Sequence, residues 1–198
     1  MRTVSQAIII KDDENISQGD VFQNVKYLYM ESEDNTTVNV VEFVFPMAII
    51  ISQACDVESM GEMVSEKKGK STKFMPSVLM CPVYDKETAR KTLHLSSAFK
   101  ELDLLNLDSS EERLIPKEDI KVASKDWHYR FHDFSVAINK KSILENAVID
   151  FKHYFTVPAS YLLENICDRI FRIVDLYAEQ ITLKFSTFLS RVAIPSDT

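Results

Sequence analysis

Glycine is scarce in this chain, with three residues in 198. That excludes Gly-rich linkers and leaves few positions free to take a positive φ. Phosphate-cradling and nucleophile motifs are missing as well: no GxGxxG, P-loop, HExxH or GxSxG occurs. Nucleotide-cofactor, zincin and α/β-hydrolase chemistry therefore has no support. Cysteine is equally sparse. Cys55, Cys81 and Cys167 are far apart and form no CxxC, which argues against a disulfide framework or a zinc ribbon and for a reducing, cytoplasmic setting. Long apolar runs are absent too. The amino-terminal stretch Ala7 to Ile10 is too short for a signal-peptide core, and no segment reaches the ~18 apolar residues of a spanning helix. Basic charge is outnumbered, 23 Lys and Arg against 30 Asp and Glu, for a net charge of −7. A whole-chain nucleic-acid footprint is thereby excluded, and a protein partner or a homo-oligomer suits the balance better.

What is present is ordinary globular material: 45% apolar and 27% charged residues, in a chain long enough to bury its own core. The first half reads as strands. Val21, Val25, Tyr27 and Tyr29 alternate with Phe22, Leu28 and Met30 on the opposite face. Glu31 to Thr37 is a polar turn. Val38 to Phe45 is β-prone, Pro46 punctuates it, and Met47 to Ser52 reads as a strand buried on both faces. Glu58 to Lys73, with Lys67, Lys68, Lys70 and Lys73, reads as an exposed loop. Pro76 to Tyr84 is a strand, Lys86 to Leu107 is helical, and Trp127 to Ile138 is extended. In the last third, Pro158 opens a short helix over Ala159 to Cys167. Phe171 to Val174 is a strand or a helix continuation. Asp175 then caps a longer helix whose apolar stripe is Tyr177, Ile181, Phe185, Phe188 and Val192, a packing face against the core or a partner.

Two stretches carry chemistry. In FPMAIIISQACD, Phe45 to Asp56, an apolar strand ends in Ser52, Gln53, Cys55 and Asp56. It reads as a structural turn or as a ligand contact through Gln53 and Asp56. Nucleophilic cysteine chemistry is disfavoured, because a carboxylate beside a thiol holds its proton on. In KDWHYRFHDF, Lys125 to Phe134, a strand puts Trp127, Tyr129 and Phe131 on one face and His128, Arg130 and His132 on the other. That second face is a half-buried polar strip or a contact for phosphates. Two histidines four apart on a strand stand roughly 13 Å from each other, too far to share an ion. No metal or cofactor is implied. Lys67, Lys68 and Lys70 form either a solvated loop or a backbone-phosphate contact. His94 and His153 are isolated and receive no role.

Three segments resemble the PemK/MazF-type SH3-like barrels, the ribonuclease toxins of toxin–antitoxin pairs. They are GDVF at Gly19 to Phe22, PMAIIIS at Pro46 to Ser52, and PSVLMCPVYD at Pro76 to Asp85. The resemblance covers about residues 19–85 and implies a small SH3-like barrel. Such enzymes place an Arg before the Pro of the second segment and a Thr-Ser pair at the end of the third. Here those positions hold Phe45 and Tyr84-Asp85. An aromatic ring cannot neutralise developing phosphate charge, and a carboxylate repels it.

The fold expected is therefore α+β, mainly β. An SH3-like barrel would span 1–140 with a helical insertion around 86–107, and a mostly helical extension would occupy 141–198. The leading functional expectation is a non-catalytic interaction subunit of a bacterial toxin–antitoxin-like or phage-defence system, cytoplasmic and not membrane-bound. The alternative is a divergent, metal-independent endoribonuclease using His128 or His132 as acid–base, Arg130 on the phosphate, and Lys67, Lys68 and Lys70 to steer RNA. A third reading is a small-ligand or nucleotide sensor built on Gln53 and Asp56.

Overall fold

The computed structural model describes residues 5–8, 15–34, 37–57, 76–86, 89 and 130–190. The chain is mainly β. Among the described residues, eight strands and two α-helices run in the order β1 (Ser5–Ile8), β2 (Asp20–Asp34), β3 (Thr37–Ile50), β4 (Ser77–Asp85), β5 (Phe131–Ile138), β6 (Lys141–Asp150), β7 (Phe155–Pro158), α1 (Ala159–Glu164), β8 (Arg169–Ile173) and α2 (Asp175–Leu189). A 3-10 turn, Ile166–Asp168, joins α1 to β8. The strands lie in the order β3-β2-β8-β1-β5-β6-β4-β7. All neighbours are antiparallel except β1 and β5. One edge of β4 carries β6 and then β7, and its other edge pairs with β3 through Met47↔Val83 to Ile50↔Met80. Following the pairings from β3 through β2, β8, β1, β5, β6 and β4 thus leads back to β3.

Two apolar clusters lie on opposite faces of these strands. One takes a residue from every strand of that circuit: Ala7, Val21, Ile49, Val83, Val136, Ile149 and Ile173, joined by Ala178, Ile181 and Phe185 of α2. The other gathers Phe22, Ala48, Ile50, Met80 and Tyr84 under Phe155 and Val157 of β7 and Leu162 of α1. The strand Met47 to Ile51 feeds both. Ala48 and Ile50 enter one cluster and Ile49 and Ile51 the other, each almost wholly buried, as a strand covered on both faces requires.

Several expectations are corrected. Pro46 does not end its strand; β3 runs through it. Pro46 lies exposed, between the ladder pairs Val25↔Phe45 and Gln23↔Met47, where no partner needs its missing N–H. Asn24 faces it with φ 51°. This left-handed residue breaks the alternation, so Val21 enters one cluster while both Phe22 and Val25 enter the other. The turn expected over 31–37 is shorter, because β2 continues to Asp34 and β3 begins at Thr37. Strands β6, β7 and β8 fall in the segment 141–198 that was expected to be mostly helical, and they belong to the same sheet as β1 to β5. Asn139 and Lys140, with φ of 50° and 66°, form the two-residue turn that joins β5 to β6. Positive φ at both positions matches the twist of the flanking strands. Of the helical insertion, only Lys86 and the buried Ala89 lie within the described residues.

Helix α2 follows the sequence more closely. Ile181 and Phe185 are buried, with Tyr177 and Phe188 packed against them; Val192 lies outside the described residues. Asp175 is the first helical residue and not the cap, which is Val174. Its carboxylate still sits in the first turn, where the helix dipole favours it. The short helix α1 ends at Glu164, earlier than expected, and Pro158 occupies its N-cap. The stretch Phe171 to Val174, left open between strand and helix, is strand as far as Ile173, the end of β8, while Val174 caps α2.

Gly19 and Asp20 fasten the start of β2 to the end of the chain. Gly19 has φ +82°, and a Cβ there would lie 2.9 Å from Ala178 Cβ and 3.2 Å from the Ile173 carbonyl oxygen. Only glycine satisfies both the dihedral and the space. Asp20 is fully buried. It accepts from Arg172 Nε at 2.6 Å and Nη2 at 2.9 Å, from Arg169 Nη1 at 3.3 Å and from the Ser17 N–H at 2.8 Å.

Candidate functional site

The strand β6 ends in Ala-Val-Ile-Asp, an apolar run that stops directly at a carboxylate. Asp150 closes the run inside the protein, with no side-chain exposure. A buried carboxylate needs cations and N–H donors around it. Arg130, immediately before β5, supplies a two-pronged contact: Nε to Oδ1 at 2.9 Å and Nη2 to Oδ2 at 2.8 Å. The Lys152 N–H donates to Oδ1 at 3.0 Å, and His153 Nδ1 lies 2.7 Å from Oδ2. The guanidinium also covers the Phe131 ring at 4.6 Å from its centroid.

This geometry sets the histidine tautomer. With Nδ1 at 2.7 Å from a carboxylate, the proton sits on Nδ1. The 3.2 Å approach of Arg130 Nη2 to the same nitrogen is then a contact between two donors and not a hydrogen bond. Asp150 reaches further inward. Burial first, and then the Asp150 charge, push the Cys81 thiol well above its ordinary value. The Tyr84 hydroxyl is raised by burial and by Asp150, while Arg130 partly offsets the rise. Cys81 is thus an inert, protonated core thiol.

His132 is held in the opposite tautomer. Lys184 Nζ donates to its Nδ1 at 3.0 Å, so the ring proton is on Nε2. Burial, then the Lys184 charge, lower its pKa to about 4 against a smaller opposing effect of Asp133. Asp133 itself is paired with Lys86 at 2.5 Å. The His132 ring lies parallel to Phe151, centroids 6.2 Å apart at 7°.

The remaining sequence candidates are scattered. Gln53 and Asp56 are both exposed; Gln53 immediately precedes the helical turn 54–57 and Asp56 lies within it. Asp56 and Val57 donate their N–H groups to the Gln53 carbonyl, and Ser52 Oγ accepts from the Leu79 N–H at 2.9 Å. The polar end of FPMAIIISQACD is thus occupied with turning the chain. The Cys55 thiol reaches Asp56 Oδ1 at 3.7 Å and Gln53 Oε1 at 3.9 Å. Lys67, Lys68, Lys70 and His128 lie outside the described residues. Phe45 and Tyr84, at the positions where the resembled enzymes carry Arg and Thr, are buried in the same cluster. Phe45 stacks on Phe155 at 4.3 Å.

Of the sequence candidates, Arg130 and His132 stand two residues apart but face different partners. His153, given no role from sequence, joins Arg130 on Asp150. Lys184 was not found either, because its position in α2 marks it only as a solvated residue beside the apolar stripe. Among the described residues no group of His, Cys, Asp and Glu could hold a metal ion, and no helix is long and apolar enough to cross a membrane. No family model matches the sequence, and no curated protein and no solved structure matches it.

Proposed function

We propose that this chain is a small SH3-like barrel of the PemK/MazF type whose catalytic face has been filled in, and that it serves as a binding subunit of a toxin–antitoxin-like or phage-defence assembly. The circuit of strand pairings, with one apolar cluster drawn from all seven of its strands, supports a closed barrel. The observation that carries the non-catalytic reading is the burial of Phe45 and Tyr84 in one cluster beneath β7 and α1. A substrate phosphate has no entry to positions packed against Phe155 and Leu162. The acid–base candidates are also committed: Lys184 occupies His132 Nδ1, and Asp150 binds Arg130 by two hydrogen bonds. The outward side of α2 offers a contact surface in Leu176 and Leu183, seven residues apart and 61% and 69% exposed.

One arrangement favours the endoribonuclease alternative. Asp150 holds the His153 ring through Nδ1, with Arg130 Nη2 3.2 Å from that same nitrogen, which leaves Nε2 on the far side of the ring as the acceptor. The experiment separates the readings. Purified protein is incubated with mixed single-stranded RNA, with and without divalent metal, beside Arg130→Ala/His132→Ala and His153→Gln variants. No cleavage above the buffer control is expected. Cleavage by the parent that either variant loses overturns the binding-subunit reading in favour of the enzyme.

A further inference from the structure

We propose that the open edge of β2, from Leu28 to Ser32, is a docking site for an extended, basic segment of a partner protein, which adds there as a third strand. The site uses no residue of α2 and does not depend on whether the chain cuts RNA. Strands β2 and β3 run together as one ribbon, in unbroken register from Val25↔Phe45 to Ser32↔Val38. Other strands reach only its base. Strand β8 pairs with β2 no further than Phe22, and β4 pairs with β3 no further than Met47. Tyr27 and Phe45 still pack on Phe155 of β7, with ring centroids 5.6 and 4.3 Å away. Beyond them the ribbon is two strands wide among the described residues. An isolated two-stranded ribbon is only marginally stable in water, and a third strand relieves that.

One hydrogen bond fixes which groups the edge presents. The Lys26 N–H donates to the Tyr161 hydroxyl at 3.0 Å and so points away from β3. In an antiparallel pair that orientation recurs at every second residue, so the N–H and C=O groups of Leu28, Met30 and Ser32 point outward as well. Tyr161 caps the edge at Lys26; from Leu28 onward no described strand pairs with it. Strand β3 carries Pro46, a residue that blunts an edge, whereas β2 has no proline. The side chains beside the open edge are apolar. Leu28 is 60% exposed, and Val40, on the same face of the ribbon, is 59% exposed. Charge then selects the occupant. Tyr27 to Pro46 holds four carboxylates, Glu31, Glu33, Asp34 and Glu42, and no Lys, Arg or His. A second copy would bring like charges together, and a nucleic acid would be repelled. Glu31 and Glu33 stand two apart, the strand period. A strand with basic residues at every second position and apolar residues between them matches these carboxylates as well as Leu28 and Val40, while its backbone pairs with the outward groups.

The test titrates the full chain with a capped peptide of about eight residues that alternates Lys and Val, a typical strand length or slightly more. Backbone amide NMR at pH 7 reads binding and hydrogen exchange together. Saturable shifts are expected along β2, with exchange of the Leu28 and Met30 N–H groups slowed roughly tenfold or more on binding. The same peptide with alternate backbone nitrogens methylated cannot donate to the edge and should not bind, and a Glu-Val peptide should be repelled. Two variants check the site on the protein. Leu28→Pro deletes an outward N–H and spares the ladder to β3. Leu28→Lys, at an exposed position, sets a cation on the edge, and should keep the parent's unfolding midpoint while weakening the Lys-Val peptide by roughly tenfold. Absence of saturable shifts at Leu28 and Met30 overturns the proposal. So does a methylated peptide that binds as tightly as the parent peptide, or a Leu28→Lys protein with undiminished affinity. In the free protein, protection of the two amides that grows with protein concentration would assign the edge to a second copy. Protection independent of concentration would assign it to another part of the same chain, and either result also overturns the proposal.

Discussion

Single residues decide more here than their number suggests. Gly19 is the clearest case, since an added methyl group meets Ala178 Cβ at 2.9 Å in a backbone conformation that L-residues avoid. Gly19→Ala is expected to cost ~2–4 kcal/mol, from the positive φ and from overpacking. The two contributions separate in a double-mutant cycle. In an Ala178→Gly background the methyl contact disappears and the dihedral cost remains, so the loss measured by urea unfolding should be smaller there. Equal losses in both backgrounds would show that the contact with Ala178 is not the cause. His132 gives a second prediction, in pH. Its folded pKa of about 4 lies below its ordinary value of 6.5. Between those values the unfolded chain binds a proton that the folded chain refuses. The associated stability is complete above about pH 6.5, falls as pH is lowered, and is gone below about pH 4. It amounts to at most on the order of 3 kcal/mol. The groups acting on the ring are Lys184, which lowers the value, and Asp133, which raises it. His132→Gln should flatten the stability curve between pH 6.5 and 4, and an unchanged slope would refute the assignment.

At the scale of elements, legibility in the sequence follows how local the cause is. The strand from Met47 to Ile51 and the stripe of α2 are written in consecutive side chains, and both stand where periodicity put them. The phase break at Asn24 and Pro46 is not legible. It needs two residues 22 positions apart to face each other, and either alone reads as an interruption. Strand β6 was hidden because its outer half, Lys141 to Asn146, is mostly exposed and only Ala147 to Asp150 is buried. The candidate site divides in the same way. Arg130 and His132 are visible as a cationic stretch. Their partners Asp150 and Lys184 sit 20 and 52 residues away, on other elements. Helix α2 carries a prediction of its own. Its inner face is anchored by Ile181 and Phe185, whereas Leu176 and Leu183 are exposed. A Leu176→Glu/Leu183→Glu variant should unfold within about 0.5 kcal/mol of the parent, as surface substitutions usually do. If this face binds the partner, the same variant should fail to co-purify with it or, for self-association, should shift to the monomer mass by light scattering. A variant that assembles like the parent would remove α2 from the interface.

Over the whole molecule, the circuit of strands is joined by residues from its two distant ends. Strand β8 inserts between β2 and β1, so β2 at the start of the sheet pairs with a strand about 150 residues later, through Asp20↔Arg172 and Phe22↔Arg169. No pattern in either segment announces that pairing, because the start of β2 reads only as a strand and Phe171 to Val174 reads equally as a strand or a helix continuation. The joint holds a charged cluster: one buried carboxylate, two arginines, and the Asn15 carbonyl oxygen that accepts from both guanidinium groups. Arg169 is almost as buried as Asp20 itself, with a side-chain exposure of 4% against 0%. Removing the single negative charge leaves two cations close together in a low-dielectric setting, and breaking a buried pair from one side costs ~3–5 kcal/mol. Asp20→Asn keeps the shape and deletes only the charge, so its cost should fall near the lower end of that range. Replacing one of the two cations should then return stability, and Arg172→Met in the Asp20→Asn background is expected to unfold at higher urea than Asp20→Asn alone. Because the joint links β2 to β8, the last strand in the chain, both variants should still lose near-UV and far-UV signals at one common midpoint. Two separated transitions, with β2–β3 melting apart from β5–β6, would mean that the strands do not close into one cooperative unit.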